Sequence, residues 1–160
     1  MVISVSLETR SQQMSNVEPA IKILAEYPKI RDFTMSLLAK EAYVTIQSPL
    51  EELAVIARLK LKDNVWTEPA IVDFSGEYKD LEPFLSPDGL RLYFVSNRPL
   101  SDSTSATKDF DIWYVERESL STMWSVPINM NAPINTEFDE FYPSVANNNN
   151  LYFINPTHFH

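Results

Sequence analysis

Three features of this 160-residue sequence predict an all-β fold. First, short runs of β-branched and aromatic residues recur along it, among them Tyr43-Val-Thr-Ile46, Leu92-Tyr-Phe-Val95 and Asp111-Ile-Trp-Tyr-Val115. Each is bounded by Ser, Asn, Asp or Pro, as strands are. Second, Ser86-Pro-Asp-Gly89 separates two such runs and has the chemistry of a hairpin turn. Pro87 presets φ, Asp88 can bond its own backbone and Gly89 supplies a positive φ. Third, the sequence repeats itself. Glu77-Tyr-Lys-Asp-Leu-Glu-Pro83 lies over Glu137-Phe-Asp-Glu-Phe-Tyr-Pro143 at an offset of 60. Leu92-Tyr-Phe94 then matches Leu151-Tyr-Phe153 one residue shorter, and Trp66 and Pro69 recur as Trp124 and Pro127. At an offset of 50, Ser36 falls on Ser86, Tyr43 on Tyr93 and Pro49 on Pro99.

Taken in order, each unit reads as an inner strand, its hairpin partner, a third strand and an outer strand near a tryptophan. The first unit places these at about 32–36, 41–47, 53–61 and 65–72, the second at about 81–86, 90–96, 110–116 and 124–129. The third supplies about 140–146 and 150–154, with Asn147-Asn-Asn-Asn150 as its turn because Asn tolerates the left-handed region. Leu37-Leu-Ala-Lys40 occupies the turn position of the first unit and is poor turn chemistry, so that copy reads as degenerate or differently connected. Ahead of the strands, Ser15-Asn-Val-Glu-Pro19 followed by Ala-Ile-Lys-Ile-Leu-Ala-Glu offers a cap, an early proline and mixed apolar content. It reads as a short helix or ordered arm, and residues 1–14 read as loose. The domain reading is an arm over 1–30, repeat units over 31–75 and 76–130, a half unit over 131–155 and a tail over 156–160.

Four-strand units at this period are the signature of β-propeller blades. The run from Pro83 through Ser86-Pro-Asp-Gly89 and Leu92-Tyr-Phe-Val-Ser-Asn-Arg98, followed by Asp111-Ile-Trp-Tyr-Val115, resembles the WD-like repeat of TolB-type β-propellers. The resemblance covers roughly residues 32–155. It implies blades of four antiparallel strands, about two and a half of them in an incomplete ring. It also implies binding to partner proteins in a periplasmic or secreted setting, although the start of the chain carries no basic segment before its apolar run. An incomplete ring leaves strand edges without partners, which predicts self-association or a place within a longer propeller.

Composition narrows the function classes. Thirteen Lys and Arg against 22 Asp and Glu give a net charge of −9. Residues 1–66 balance eight bases with eight acids, while residues 67–160 set five bases against fourteen acids, so the imbalance belongs to the repeats. Nucleic acid and anionic membrane demand the opposite sign and are disfavoured as partners. Two glycines, Gly76 and Gly89, leave no phosphate-cradling loop and no Gly-x-Ser-x-Gly nucleophile elbow. Without cysteine there is no thiol nucleophile, thiolate metal site or disulfide. His158 and His160, the sole histidines, lie beyond the last expected strand, where a catalytic base would lack rigid support.

Acidic side chains carry the site reading. Glu77, Asp80 and Glu82 precede and enter the inner strand of the second unit; Glu137, Asp139 and Glu140 do the same in the third. Gathered at one mouth they would suit a basic segment of a protein partner, glycan hydroxyls, or calcium through oxygen ligands. Their competing reading is solvated loop charge or structural pairing. A turn centred on Asp88-Gly89 sets residues summing to about 177 opposite each other, so Asp80 lies near Asn97, and Arg98 is the base that ties the strand end to those acids, with a clamp on the bound partner as its alternative role in the binding set. Asp109 and Asp111 read as a strand-entry turn before a metal pair, Trp66 and Trp124 as packing between sheets, and the polar stretch 97–108 as a recognition loop. The expected function is a non-catalytic scaffold that binds a protein or glycan through an acidic loop face. The alternative is a fragment of a propeller enzyme, either glycan-active or the propeller domain of a serine peptidase.

Overall fold

A computed structural model describes residues 20–101 and 107–155 of the chain. Residues 1–19, 102–106 and 156–160 lie outside the described residues. The expectations for residues 1–14, the cap at Ser15–Pro19, the centre of the polar loop and His158 and His160 therefore fall outside as well.

The fold is all-β, built from three antiparallel sheets in chain order. The first contains β1 (Ile30–Ser36), β2 (Glu41–Gln47), β3 (Ala54–Lys62) and β4 (Val65–Trp66), hydrogen-bonded in that order, with β5 (Ala70–Ile71) also on β3. The second runs β6 (Asp80–Leu85), β7 (Arg91–Ser96), β8 (Asp111–Glu116) and β9 (Ile128–Asn129). The third is the pair β10 (Phe141–Val145) and β11 (Leu151–Ile154). Central strands explain the continuous apolar runs. Ala42 to Thr45 of β2 and Leu92 to Ser96 of β7 are buried without alternation, because neighbours cover both edges and both faces.

The sheets pack against one another through side chains that the sequence set at repeat positions. Tyr43 and Ile56 of the first sheet share a core with Leu85, Leu92, Phe94, Trp113 and Val115 of the second, and Trp124 packs on it. A smaller cluster of Ala54, Leu81 and Val95 takes Phe110 and Phe141 against it, which brings in the third sheet. Trp66 packs on a separate cluster of the first sheet, where Ile21, Ile23 and Leu24 cover Ala42, Val44, Ala57 and Leu59.

That cover corrects the N-terminal expectation. The segment forms a single 3-10 turn over Lys22–Glu26, not an α-helix. Ile21 stands at its start with extended dihedrals and no side-chain oxygen to accept the free amides. Five residues cannot offset the cost of nucleating an α-helix. The segment holds its place by burying Ile21.

The first-unit turn is a second correction. Leu37–Lys40 closes a regular hairpin between β1 and β2, with Lys40 in the left-handed region at φ 54°. The Ala39 amide donates to Ser36 Oγ at 3.1 Å, which supplies the fixing bond that the apolar turn residues lack. The second-unit turn forms as its sequence dictates. The Gly89 amide donates to the Ser86 carbonyl at 2.8 Å, and Ser86 Oγ accepts from the Arg91 amide at 2.8 Å. Gly89 sits at φ 73°, where an added Cβ would lie 3.0 Å from Leu120 Cδ2. Gly89→Ala is therefore expected to lose about 1–2 kcal/mol in urea unfolding; an unchanged midpoint would mean that the turn rearranges freely.

The ladder departs from the straight register at one place. Leu85 faces Leu92 and Phe84 faces Tyr93, as a turn centred on Asp88-Gly89 requires, but a bulge follows and Asp80 faces Ser96 instead of Asn97. Pro83 has no amide to give the ladder and Glu82 turns left-handed at φ 54° beside it, so one residue is squeezed out of pairing.

Candidate functional site

The bulge recurs in every unit. The register slips between Arg31 and Phe33, between Leu81 and Phe84, and between Phe141 and Ser144. In each slip one residue is left-handed: Asp32 at φ 55°, Glu82 at 54° and Tyr142 at 55°. For side chains with a Cβ this conformation costs about 1–2 kcal/mol apiece, and it persists only where surrounding structure enforces it. The three positions are related by the same offsets of 50 and 60 that define the repeat.

These first strands lie side by side. The Leu85 amide donates to Thr34 Oγ1 and the Glu82 amide to Thr45 Oγ1, both at 3.1 Å, which fastens β6 to the first sheet. The Tyr142 amide donates to Glu82 Oε2 at 2.5 Å, which fastens β10 to β6. The turned residues therefore converge. Arg31 gives its Nε to Asp32 Oδ2 at 2.7 Å and its Nη2 to Glu82 Oε1 at 3.1 Å, and the same nitrogen reaches the Tyr142 hydroxyl at 3.4 Å. Glu82 is buried beneath this group, while the Arg31 side chain is 36% exposed and Tyr142 is 54% exposed.

Burial pushes the Glu82 carboxyl above its ordinary range; the Tyr142 amide opposes that shift, the Asp32 charge adds to it and Arg31 opposes it. The site can accept a cation or hydroxyl donors against its acids, with a guanidinium and a phenol at the rim. Because the folded pKa is raised, the contribution of Glu82 to stability is fully present below the ordinary value of 4.5 and is lost as pH rises through the shifted value. Glu82→Gln keeps the acceptor for Tyr142 and removes this term. The variant is expected to unfold at an equal or higher urea midpoint at pH 7 and to gain less on acidification to pH 5; a lower midpoint at pH 7 would show that the charge of Glu82 holds the strands together.

The acids expected from the sequence have separate fates. Asp80 is fully buried and pairs with Arg98 at 2.7 Å, with Ser75 Oγ donating to its other oxygen at 2.7 Å. Arg98 also donates to the Phe74 carbonyl and to Ser96 Oγ. Asp139 is half-buried and accepts the Phe110 amide at 2.8 Å. Glu140 is fully buried, and its Oε1 accepts from Thr136 Oγ1 at 2.6 Å and Asn155 Nδ2 at 3.0 Å. Its Oε2 and the Asp109 Oδ2 have no hydrogen-bond partner among the described residues. Burial raises the Glu140 pKa, its bonds to Thr136 oppose the shift, and Asp111 and Asp109 add to it. Glu77 and Glu137 are exposed on the loops that lead into their units. Lys108 takes up Asp109 at 2.8 Å and Asp111 at 2.6 Å at the entrance to β8.

Only Glu82 of the expected set thus reaches the inner-strand cluster. Among the described residues no three acids or histidines gather as a cation site. Arg31, Asp32 and Tyr142 were not singled out from the sequence. The signal that marks them is a proline inside a strand, Pro83 and again Pro143, which requires a bulge next to it; the repeat offset then carries that position to Asp32. Compared with known proteins, the chain matches no family model, no curated protein and no solved structure.

Proposed function

We propose that this chain is a non-catalytic repeat scaffold of the TolB-like β-propeller type, its sheets being successive blades, which binds a protein or glycan partner through an acidic inner-strand face. One observation carries the reading: the first strands of three successive units lie side by side and turn the same strained residue toward one cluster of Arg31, Asp32, Glu82 and Tyr142. Strain repeated at one position and held by contacts between units is the kind of feature that accompanies a binding site. Asp80 and Asp111 are tied to structural partners through both oxygens, which supports recognition ahead of turnover. The enzyme reading, a glycan-active propeller, draws on the raised proton affinities of Glu82 beside Asp32 and of Glu140 beside Asp111 and Asp109.

The test is a titration of the isotope-labelled chain with neutral oligosaccharides and with short basic peptides, followed through backbone amide shifts. Saturable shifts at Asp32, Glu82 and Tyr142 are expected, weakened about tenfold by Asp32→Asn, with the sugar recovered intact. Cleaved sugar would establish the enzyme reading, and no response at those three amides to any probe would end the binding one.

A further inference from the structure

A second concave surface lies apart from the inner-strand cluster and shares no residue with it. The chain after β5 and the chain leading into β9 form opposite walls of a cleft of about 720 Å³, which continues into a smaller recess of about 340 Å³ over Trp124. Asp73, Phe74, Val126 and Pro127 line both parts. Volumes of this order belong to sites for a ligand or a few residues of chain.

Its walls mix polar and apolar side chains and are open. Val126 and Met123 are each 79% exposed and Leu100 is 63% exposed, which sets three large apolar side chains at this groove. Its charge is acidic once internal pairing is counted. Of the two arginines that line it, Arg98 is paired with Asp80 at 2.7 Å, while Arg58 stands 3.8 Å from a Glu41 that Arg117 holds more closely at 2.9 Å, so one partly compensated cation faces the two acids. Asp73 and Glu77 also line it, both exposed, and neither forms an ion pair with a described residue. Exposed apolar side chains beside two carboxylates that form no ion pair with a described residue are complementary to an extended peptide that alternates apolar and basic side chains.

We propose that this cleft is a docking groove for an extended basic–apolar segment of a partner protein, with its apolar side chains against Val126, Met123 and Leu100 and its cations beside Asp73 and Glu77. The groove discriminates by charge at the rim and by apolar area at the floor, so loss of either component weakens binding.

The experiment titrates the full labelled chain with acetyl-Lys-Leu-Lys-Leu-Lys-amide, and separately with the versions that carry Glu for Lys or Ser for Leu. Saturable amide shifts at Asp73, Phe74, Glu77 and Val126 are expected with the Lys-Leu peptide. Both control peptides should bind at least about tenfold more weakly. The double variant Asp73→Asn/Glu77→Gln should weaken the Lys-Leu peptide by about fivefold to tenfold, as two exposed ion pairs would. Val126→Ser should weaken it as well. All three positions are exposed, so the urea midpoint of each variant should match that of the parent chain. Several results would overturn the proposal: shifts at the inner-strand cluster alone, equal binding of the Ser peptide, or affinity unchanged in both variants. A neutral oligosaccharide that shifts these amides while the peptide does not would overturn it in favour of a glycan.

Discussion

Replacing Arg98 with alanine is expected to cost about 3–5 kcal/mol of folding stability, because it leaves a buried carboxylate without its cation. The Asp80 side chain is fully buried and Arg98 is 9% exposed, so water cannot take the place of the lost guanidinium. Ser75 would remain as the one side-chain donor to Asp80 among the bonds described. The guanidinium also lies 5.1 Å from the Phe94 ring and 5.5 Å from that of Trp113, so its removal opens the shared core as well. Lysine should rescue little. A single ammonium cannot reach Asp80, Ser96 and the Phe74 carbonyl together, and it cannot stack as a planar group does. The double variant Asp80→Leu/Arg98→Met should recover most of the loss, since exchanging both charges for apolar groups avoids the orphan. Urea unfolding of the parent, Asp80→Leu, Arg98→Met and the double variant closes the cycle. A loss below about 1 kcal/mol for Arg98→Ala would place the pair in water.

This pair also marks how far the sequence could be read. Asp80 and Arg98 lie on the two strands of one hairpin, and a turn with unambiguous chemistry, Ser86 to Gly89, fixes which residues meet. Local pairing of that kind is legible because strand period and turn type determine it. The apolar runs that became β2, β7 and β8 were legible for the same reason. The inner-strand cluster was not, since it depends on contacts between units: Arg31 meets Glu82 across 51 positions and Tyr142 across 111. The repeat placed Asp32, Glu82 and Tyr142 in register, yet an ideal ladder would have left the turned residues pointing along their own sheets. A backbone slip of one residue brings them together. Burial was misjudged for a related reason. Acids next to turns read as solvated, whereas Asp80 is enclosed with Arg98 and Ser75, and Glu140 with Thr136, Asn155 and the backbone of Phe110.

The tie between the first two sheets gives the other large effect. Arg117, just after β8, reaches Glu41 at the start of β2 at 2.9 Å, with the two side chains 1% and 7% exposed. Its Nε donates to the Gly89 carbonyl at 2.9 Å, and its guanidinium lies 4.2 Å from the Trp124 ring centroid. The indole of Trp124 in turn donates to the Tyr43 hydroxyl at 3.1 Å, and that hydroxyl donates to Glu41 at 3.1 Å. The network spans two sheets that share no ladder, with the Arg117–Glu41 contact an ion pair without hydrogen-bond geometry. Arg117→Met is therefore expected to cost about 3–5 kcal/mol and to broaden the urea transition, because the sheets lose one of the ties that make them unfold together. Tyr43 provides a readout that simple loss of packing would not move. Burial, and then the Glu41 charge, push its hydroxyl up to about 12, against the opposing pull of Trp124, Arg117 and Arg58. With a folded pKa above the ordinary 10.0, its stabilising contribution is complete below pH 10.0 and disappears as pH rises through about 12. Glu41→Gln should lower the Tyr43 midpoint and Arg117→Met should raise it. Both are measurable as tyrosinate absorbance after subtracting the same titration of Tyr43→Phe. Shifts of opposite sign require that both charges sit against the hydroxyl in the folded chain. Shifts of the same sign, or none, would mean that Arg117 and Glu41 are solvated and that the two sheets are held by apolar packing and by the bonds to Thr34 and Thr45.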